Sequence, residues 1–306
     1  TWAGVALTPV EGDVTPWLDL VAFVVPNERE RNLLIQWMAY QVQNIGEKCN
    51  WQIVLLGEKG VGKDQIFAPL ARILGDASGD ISAEELQQGW GDYIAKKKLL
   101  LLQEVYRPQN KGFANTLKTL AADTANATTK VNMKGGSVIE QANVTAMVLM
   151  SNHKSGFTLE KGERRYFVLN AFFPPQPPEY YQAWGKWMGP NSAPTDASAK
   201  VFNYLLNLDL SDFDPTTSPY VTDAAFDLID RSDADYVQEL KELESQGSGP
   251  FDGDAFTLSQ VTRFLKLRGM NHGRNGVKDA IESMGYTEYR GAKKIDGKTA
   301  RPPRFF

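Results

Sequence analysis

Cysteine and histidine are almost missing from this chain. Cys49 is the single cysteine in 306 residues, which excludes an internal disulfide framework and points to a reducing compartment such as the cytoplasm. His153 and His272 are the only histidines, so a zinc centre built from histidine and cysteine is excluded as well. Long apolar runs are also lacking. No uninterrupted stretch approaches the length of a membrane span, and no signal peptide is visible, so no membrane partner is expected. A starting methionine is absent too, and Thr1 suggests a fragment cut from a longer protein.

What is present is ordinary for a globular protein: 42% hydrophobic and 23% charged residues, with room for two domains or one large domain with an appendage. The net charge of -4 hides an asymmetry. Residues 257–306 hold eleven Lys or Arg against four Asp or Glu, a local +7, while the rest carries 22 basic against 33 acidic. A segregated basic end suggests an anionic partner, nucleic acid first; the plain alternative is a solubilising tail.

The chain is organised around Trp51 to Gln65, WQIVLLGEKGVGKDQ. Ile53–Leu56 reads as a short buried strand. The glycine-rich turn Gly57-Glu58-Lys59-Gly60-Val61-Gly62-Lys63 follows it, and Ile66, Phe67, Leu70, Ile73 and Leu74 then repeat with helical spacing. Strand, Gly-x-x-x-x-Gly-Lys and helix make a P-loop in its required context. The glycines let backbone N–H groups point at phosphate oxygens, the helix N-terminus adds a favourable dipole, and Lys63 reaches the β- and γ-phosphates. Asp64 stands where Ser or Thr normally places a hydroxyl on Mg²⁺, and Gln65 completes the segment. A carboxylate is a hard ligand, so Asp64 is a candidate Mg²⁺ ligand, directly or through water; otherwise it is only a helix-start residue.

Forty residues on, Leu99 to Leu102 reads as a second buried strand, and Gln103 leads to Glu104 at its C-terminal end. Ligands bind at that end of open α/β sheets. Glu104 is therefore placed to polarise an attacking water or to hold the metal through one, the second half of an ATPase site. Thr128 to Ile139 has hairpin grammar around Gly135-Gly136, with Lys130 and Lys134 on or near its tip. Val144–Met150 is a further apolar strand that closes on Ser151-Asn152, and Arg164-Arg165 enter another strand at Tyr166–Leu169.

In this order and spacing, the P-loop, the leucine strand ending in Glu104, the lysine-bearing hairpin, the strand ending in Asn152 and the Arg164-Arg165-aromatic segment resemble the superfamily 3 helicases of viruses and phages. The phage and poxvirus-type primase-helicases look closest. The segment from Lys130-Val131-Asn132-Met133 to Ser151-Asn152 is also similar to viral large tumour antigens. The likeness covers roughly residues 20–245.

The resemblance implies an AAA+-type ATPase that assembles as a ring, commonly a hexamer, with ATP at subunit interfaces. Residues 57–63 match the phosphate loop, Glu104 the catalytic acid, and Asn152 the sensor of the γ-phosphate or attacking water. Arg164 or Arg165 matches the arginine finger that reaches a neighbouring subunit's nucleotide. Lys134 matches the hairpin position that grips single-stranded DNA, with Lys130 as a further contact. The family also implies a primase or polymerase module upstream, and a phage or mobile-element protein working in the host cytoplasm. Gln103 and Asp64 depart from the family pattern and put metal coordination in doubt.

Beyond the Gly-Ser-Gly-Pro stretch at 247–250, the basic end reads as helix (over Thr257–Leu265, capped by Thr257 or Ser259), turn, helix (Asn275–Met284) and a ribbon. The ribbon pairs Tyr286–Arg290 with Lys298–Arg304 around Lys293-Lys294 and Asp296-Gly297. That is a winged-helix pattern, with Arg274, Lys278, Lys293 and Lys294 as candidate contacts to duplex DNA. A winged helix that binds protein is the alternative.

The expected organisation is a helical module at 1–48, a P-loop α/β core with a parallel sheet flanked by helices at 49–175, and a helical part at 176–245. A linker at 246–254 and a winged-helix-like domain at 255–306 complete it. The expected activity is ATP-dependent DNA translocation or unwinding, with ATP and Mg²⁺ as cofactors. Its rivals are an initiator that assembles on DNA without unwinding it, a decayed nucleotide-binding scaffold and, more weakly, a small-molecule P-loop kinase.

Overall fold

The computed structural model describes residues 5, 7–82, 85, 94–104, 117, 120–121, 128–132, 138–154, 157, 159, 162–190, 195–253, 255–268, 270, 274–287, 293–295 and 298–300. The chain divides into two compact units: Thr1–Phe157 with Glu163–Phe226, and Thr158–Gly162 with Asp227–Phe306.

The first unit opens with two helices, α1 (Thr15–Val24) and α2 (Glu28–Gln43). Pro26 separates them, since proline disfavours helix in the residue before it. Asn27 then caps α2 by accepting hydrogen bonds from the N–H groups of Arg29 and Glu30. These helices are not a separate module, contrary to the sequence expectation. Trp17 and Trp37 are fully buried in the same core as Ile53, Leu55 and Phe167. Their indole N–H groups donate to the carbonyls of Ile66 and Trp51. Side chains of that size need the sheet to cover them.

Strands β1 (Gln52–Gly57), β2 (Ser78–Ser82), β3 (Leu99–Gln103), β6 (Ala146–Ser151) and β7 (Tyr166–Ala171) form one sheet in the order β2-β3-β6-β1-β7. All four pairings are parallel. Every residue of β1 and β6 is buried, as expected for strands covered on both faces by helices. Between β3 and β6, strands β4 (Thr128–Asn132) and β5 (Val138–Ala142) pair antiparallel as the two arms of a hairpin. Residues 133–137 lie outside the described residues.

Helix α3 (Ala68–Leu74) follows the glycine-rich loop later than the apolar spacing suggests, because residues 63–67 form turns. Pro69 has no N–H to give to the carbonyl of Gln65, so regular helical bonding starts only where proline is tolerated, in the first turn. Ahead of α3 the chain is held by the bonds of Ile66 N–H to Gly62, Phe67 N–H to Asp64 and Ala68 N–H to Gln65. Helices α4 (Pro178–Met188) and α5 (Asp196–Leu206) complete the unit. Arg72 ties α3 to the end of α4 by donating to the carbonyls of Met188 at 2.7 Å and Gly189 at 3.3 Å.

In the second unit, most of α6 (Asp223–Ser245) packs with α7 (Leu258–Leu267) and α8 (Arg274–Ser283) around Leu240, Val261, Val277 and Ile281. Phe251, in the stretch expected to be a linker, is buried there against Phe256 at 4.8 Å. The basic ribbon also differs from expectation. Strands β8 (Lys293–Ile295) and β9 (Lys298–Ala300) pair antiparallel, whereas Tyr286 joins the aromatic cluster instead of an arm, 5.0 Å from Phe256. Among the described residues, no helix is long and apolar enough to cross a membrane.

Candidate active site

The P-loop lies at the C-terminal end of β1. Its first glycine is dictated by the sheet: a Cβ on Gly57 would sit 2.7 Å from the Ala171 carbonyl oxygen and 2.8 Å from the Ala171 Cβ. Glu58 N–H then donates to that same carbonyl at 3.0 Å. Gly60 and Gly62 take φ of +85° and +96°, the left-handed region open to glycine at little cost. Val61 is fully buried and anchors the loop, while Glu58, Lys59 and Gly60 are exposed at its crest.

Lys63 turns back under the loop and is 7% exposed. Its Nζ donates to the carbonyls of Gly57 at 2.8 Å and Glu58 at 2.7 Å, and to Asn152 Oδ1 at 2.8 Å. Burial lowers its pKa, against the pull of the Asp64 and Glu58 carboxylates. The Asn152 contact joins residues 89 positions apart in sequence. It arises because β1 and β6 are neighbours in register, Leu56 beside Ser151.

Glu104 follows β3, the next strand over, whose Leu102 aligns with Leu149 of β6. At ~4.8 Å per strand its backbone lies about 10 Å from the end of β1, on the same edge of the sheet. It is exposed, and its φ of +55° is rare for a residue with a side chain. Such strain concentrates at functional positions. Gln103, at the departure from the family pattern, donates to Asp80 Oδ1 of β2 at 3.3 Å.

Asp64 is exposed beside the loop. Gln65 Nε2 donates to Asp64 Oδ2 at 2.8 Å, and Trp184 Nε1 of α4 donates to Gln65 Oε1 at 3.0 Å. No cluster of three or more His, Cys, Asp or Glu fit to hold a metal occurs among the described residues. The residues present fit Mg²⁺ only in the manner of nucleotide sites, where one or two carboxylates join phosphate oxygens and waters.

Arg164 and Arg165 are not brought to this site. They precede β7, and the Arg165 carbonyl accepts from Gln52 N–H at the start of β1. The six residues of β7 therefore separate them from the P-loop edge by about 20 Å. Arg165 is clamped by Glu163, with Nε to Oε1 at 2.7 Å and a second bond from the guanidinium to Oε2. Burial pushes the Glu163 carboxyl up, but hydrogen bonds and charge from Arg165 outweigh it and hold the group below the usual range. Arg164 is exposed.

Lys130 lies on β4 opposite Glu140, and Lys134 is outside the described residues. In the second unit, Arg274 is the first residue of α8, and Lys278 faces Glu282 at 3.6 Å one helical turn on. Lys293 and Lys294 are on β8.

One feature of the P-loop surroundings was not legible in the sequence. A cavity of about 510 Å³ borders Gly60 and is lined by Pro175, Gln176, Pro178, Tyr181 and Gln182. In sequence these residues form a proline-rich connector with aromatics. The only signal was that the connector directly follows β7, the strand beside the P-loop strand.

A model described as a family of unknown function (DUF5906) matches residues 55–165, a span from within β1 to Arg165. No curated protein matches. Among solved structures, the apo structure of the NrS-1 C terminal region (305–718) is similar over 96% of this chain and 76% of that one, at 16% identity and a TM-score of 0.62. An A form apo structure of the same region is similar over 94% of this chain and 75% of that one, at 15% identity and a TM-score of 0.61. Likeness at this identity is likeness of fold.

Proposed function

We propose that this chain is the ATP-hydrolysing motor of a phage-like replication protein of the superfamily 3 helicase type, moving along single-stranded DNA as a ring. One observation carries the reading. Three adjacent parallel strands, β3, β6 and β1, end side by side in Glu104, Asn152 and the glycine-rich loop, with Lys63 bonded to Asn152. An ordinary buried sheet has no reason to gather an acid, an amide and a buried lysine at one edge.

In this reading the three hydrogen bonds of Lys63 are exchanged in part for oxygens of the β- and γ-phosphates, and loop N–H groups bond the rest. The exchange releases the Asn152 carboxamide to orient the attacking water or the γ-phosphate. Glu104 accepts a hydrogen bond from that water and turns its lone pair toward phosphorus. Mg²⁺, when bound, neutralises charge on the phosphates; Asp64 and Glu104 would hold it, directly or through water. An arginine finger is required from elsewhere, because Arg164 and Arg165 stand at the far edge of their own sheet. In a ring, that edge of one subunit meets the nucleotide of the next, and Arg164 or Arg165 would act in trans.

Lys130 and Lys134 of the hairpin would grip the DNA backbone. The second unit, read as a winged helix, would carry Arg274, Lys278, Lys293 and Lys294 to duplex DNA. A hexamer, a primase module upstream and a host-cytoplasmic setting belong to the same reading.

Equilibrium binding and single-turnover hydrolysis of Mg·ATP test it together. Glu104→Gln is expected to bind ATP within a fewfold of wild type while hydrolysis falls by about 10²-fold or more, and Lys63→Ala to lose binding. ATP bound equally well by Lys63→Ala, or hydrolysed at the wild-type rate by Glu104→Gln, would overturn the assignment.

A further inference from the structure

An open depression lies over the crest of the P-loop, lined by one tyrosine, two prolines and two glutamines beside Gly60. Its volume is about 510 Å³, and it opens broadly to solvent. The Tyr181 ring stands beside the loop: a Cβ on Gly62 would lie 3.7 Å from Tyr181 Cε1. The ring is fixed from two directions. Its hydroxyl accepts from the N–H of Gln176 at 3.1 Å, and Tyr180 packs against it edge-on, with centroids 5.4 Å apart. Pro175 and Pro178 add rigid apolar walls. Gln176 and Gln182 supply the polar groups of the lining, each with both a donor and an acceptor at its amide.

We propose that this cavity is a purine pocket, in which Tyr181 stacks on the base and the amides of Gln176 and Gln182 meet its polar edge. This rests on the reading of residues 57–63 as a phosphate loop. A base is tethered to its phosphates, so its pocket must border the loop that cradles them, and this cavity borders Gly60. Two consequences concern specificity. A purine offers two fused rings to the tyrosine face and a pyrimidine only one, so stacking favours purines. A glutamine amide can turn to match either the donor–acceptor pattern of adenine or the reverse pattern of guanine, so the pocket separates the two purines weakly.

The test is competition binding of ATP, GTP, CTP, UTP and inorganic tripolyphosphate, all with Mg²⁺, to the whole chain. The tripolyphosphate arm reports the loop without a base. ATP and GTP are expected within about threefold of one another and about tenfold or more tighter than CTP, UTP and tripolyphosphate. Tyr181→Leu should bring ATP down to the tripolyphosphate level while leaving tripolyphosphate itself unchanged, which also shows that the loop is still folded. Tyr181→Phe, which keeps the ring and loses the hydroxyl, should restore ATP to within about threefold of wild type. Equal binding of all four nucleotides and tripolyphosphate by wild type would overturn the pocket and leave the phosphate loop standing. So would ATP binding that Tyr181→Leu does not alter. Failure of wild type to bind tripolyphosphate or any nucleotide would overturn the phosphate loop, and the pocket with it.

Discussion

Gly57 shows how a single residue position answers to two demands at once. In sequence it is the first glycine of a phosphate loop, and conformational freedom is the natural reason for it. In the structure the stronger reason is space, since the Ala171 carbonyl and Cβ crowd the place a side chain would take. Gly60 is the opposite case, with φ of +85° and nothing within 4 Å of a built Cβ. Gly57→Ala is therefore expected to destabilise the first unit by about 1–3 kcal/mol through overpacking. Gly60→Ala is expected to cost about 1–2 kcal/mol through backbone strain alone. Denaturant titration of the two variants checks this, and an unchanged midpoint for Gly57→Ala would contradict it. The loop itself was legible because its residue types are needed within seven positions of one another. The Ala171 contact and the Tyr181 wall were not, because they come from a strand and a helix more than a hundred residues away.

Among the elements, β1, β3 and β6 were legible from their apolar runs, since strands buried on both faces need no alternation. The hairpin arms of β4 and β5 were legible from β-prone residues around paired glycines. The late start of α3 could have been read from Pro69, whose missing N–H overrides apolar periodicity in the preceding turn. Tyr286 misled for a different reason. Its β propensity suits a ribbon arm, but a large ring next to Phe251 and Phe256 is held by packing instead. The start of α7 was legible to within two residues, with Thr257 and Ser259 as the candidate caps, and the structure uses Thr257. Thr257 Oγ1 accepts from Gln260 N–H at 3.1 Å, and Gln260 Oε1 accepts from Thr257 N–H at 2.7 Å, a full capping box. Thr257→Ala is expected to cost the second unit about 1 kcal/mol. Hydrogen exchange should show the loss in α7 and not in the P-loop sheet; equal loss in both would contradict the division into two units.

At the scale of the whole molecule, the strand order was the information that no local pattern carried. Glu104, Asn152 and Lys63 are spread along the chain, and only the sequence β3-β6-β1 across the sheet sets them side by side. Arg164 and Arg165, which precede the parallel strand β7, stand at its opposite end, beside the start of β1. In the proposed motor they therefore serve a neighbour's nucleotide, which makes activity depend on assembly. The most direct test of the proposed motor is steady-state ATP turnover with and without single-stranded DNA, for wild type and Lys63→Ala. The proposed mechanism predicts turnover that rises with DNA and falls by about 10²-fold or more in Lys63→Ala. Turnover absent from a folded, assembled wild type, or indifferent to both DNA and Lys63, would contradict it.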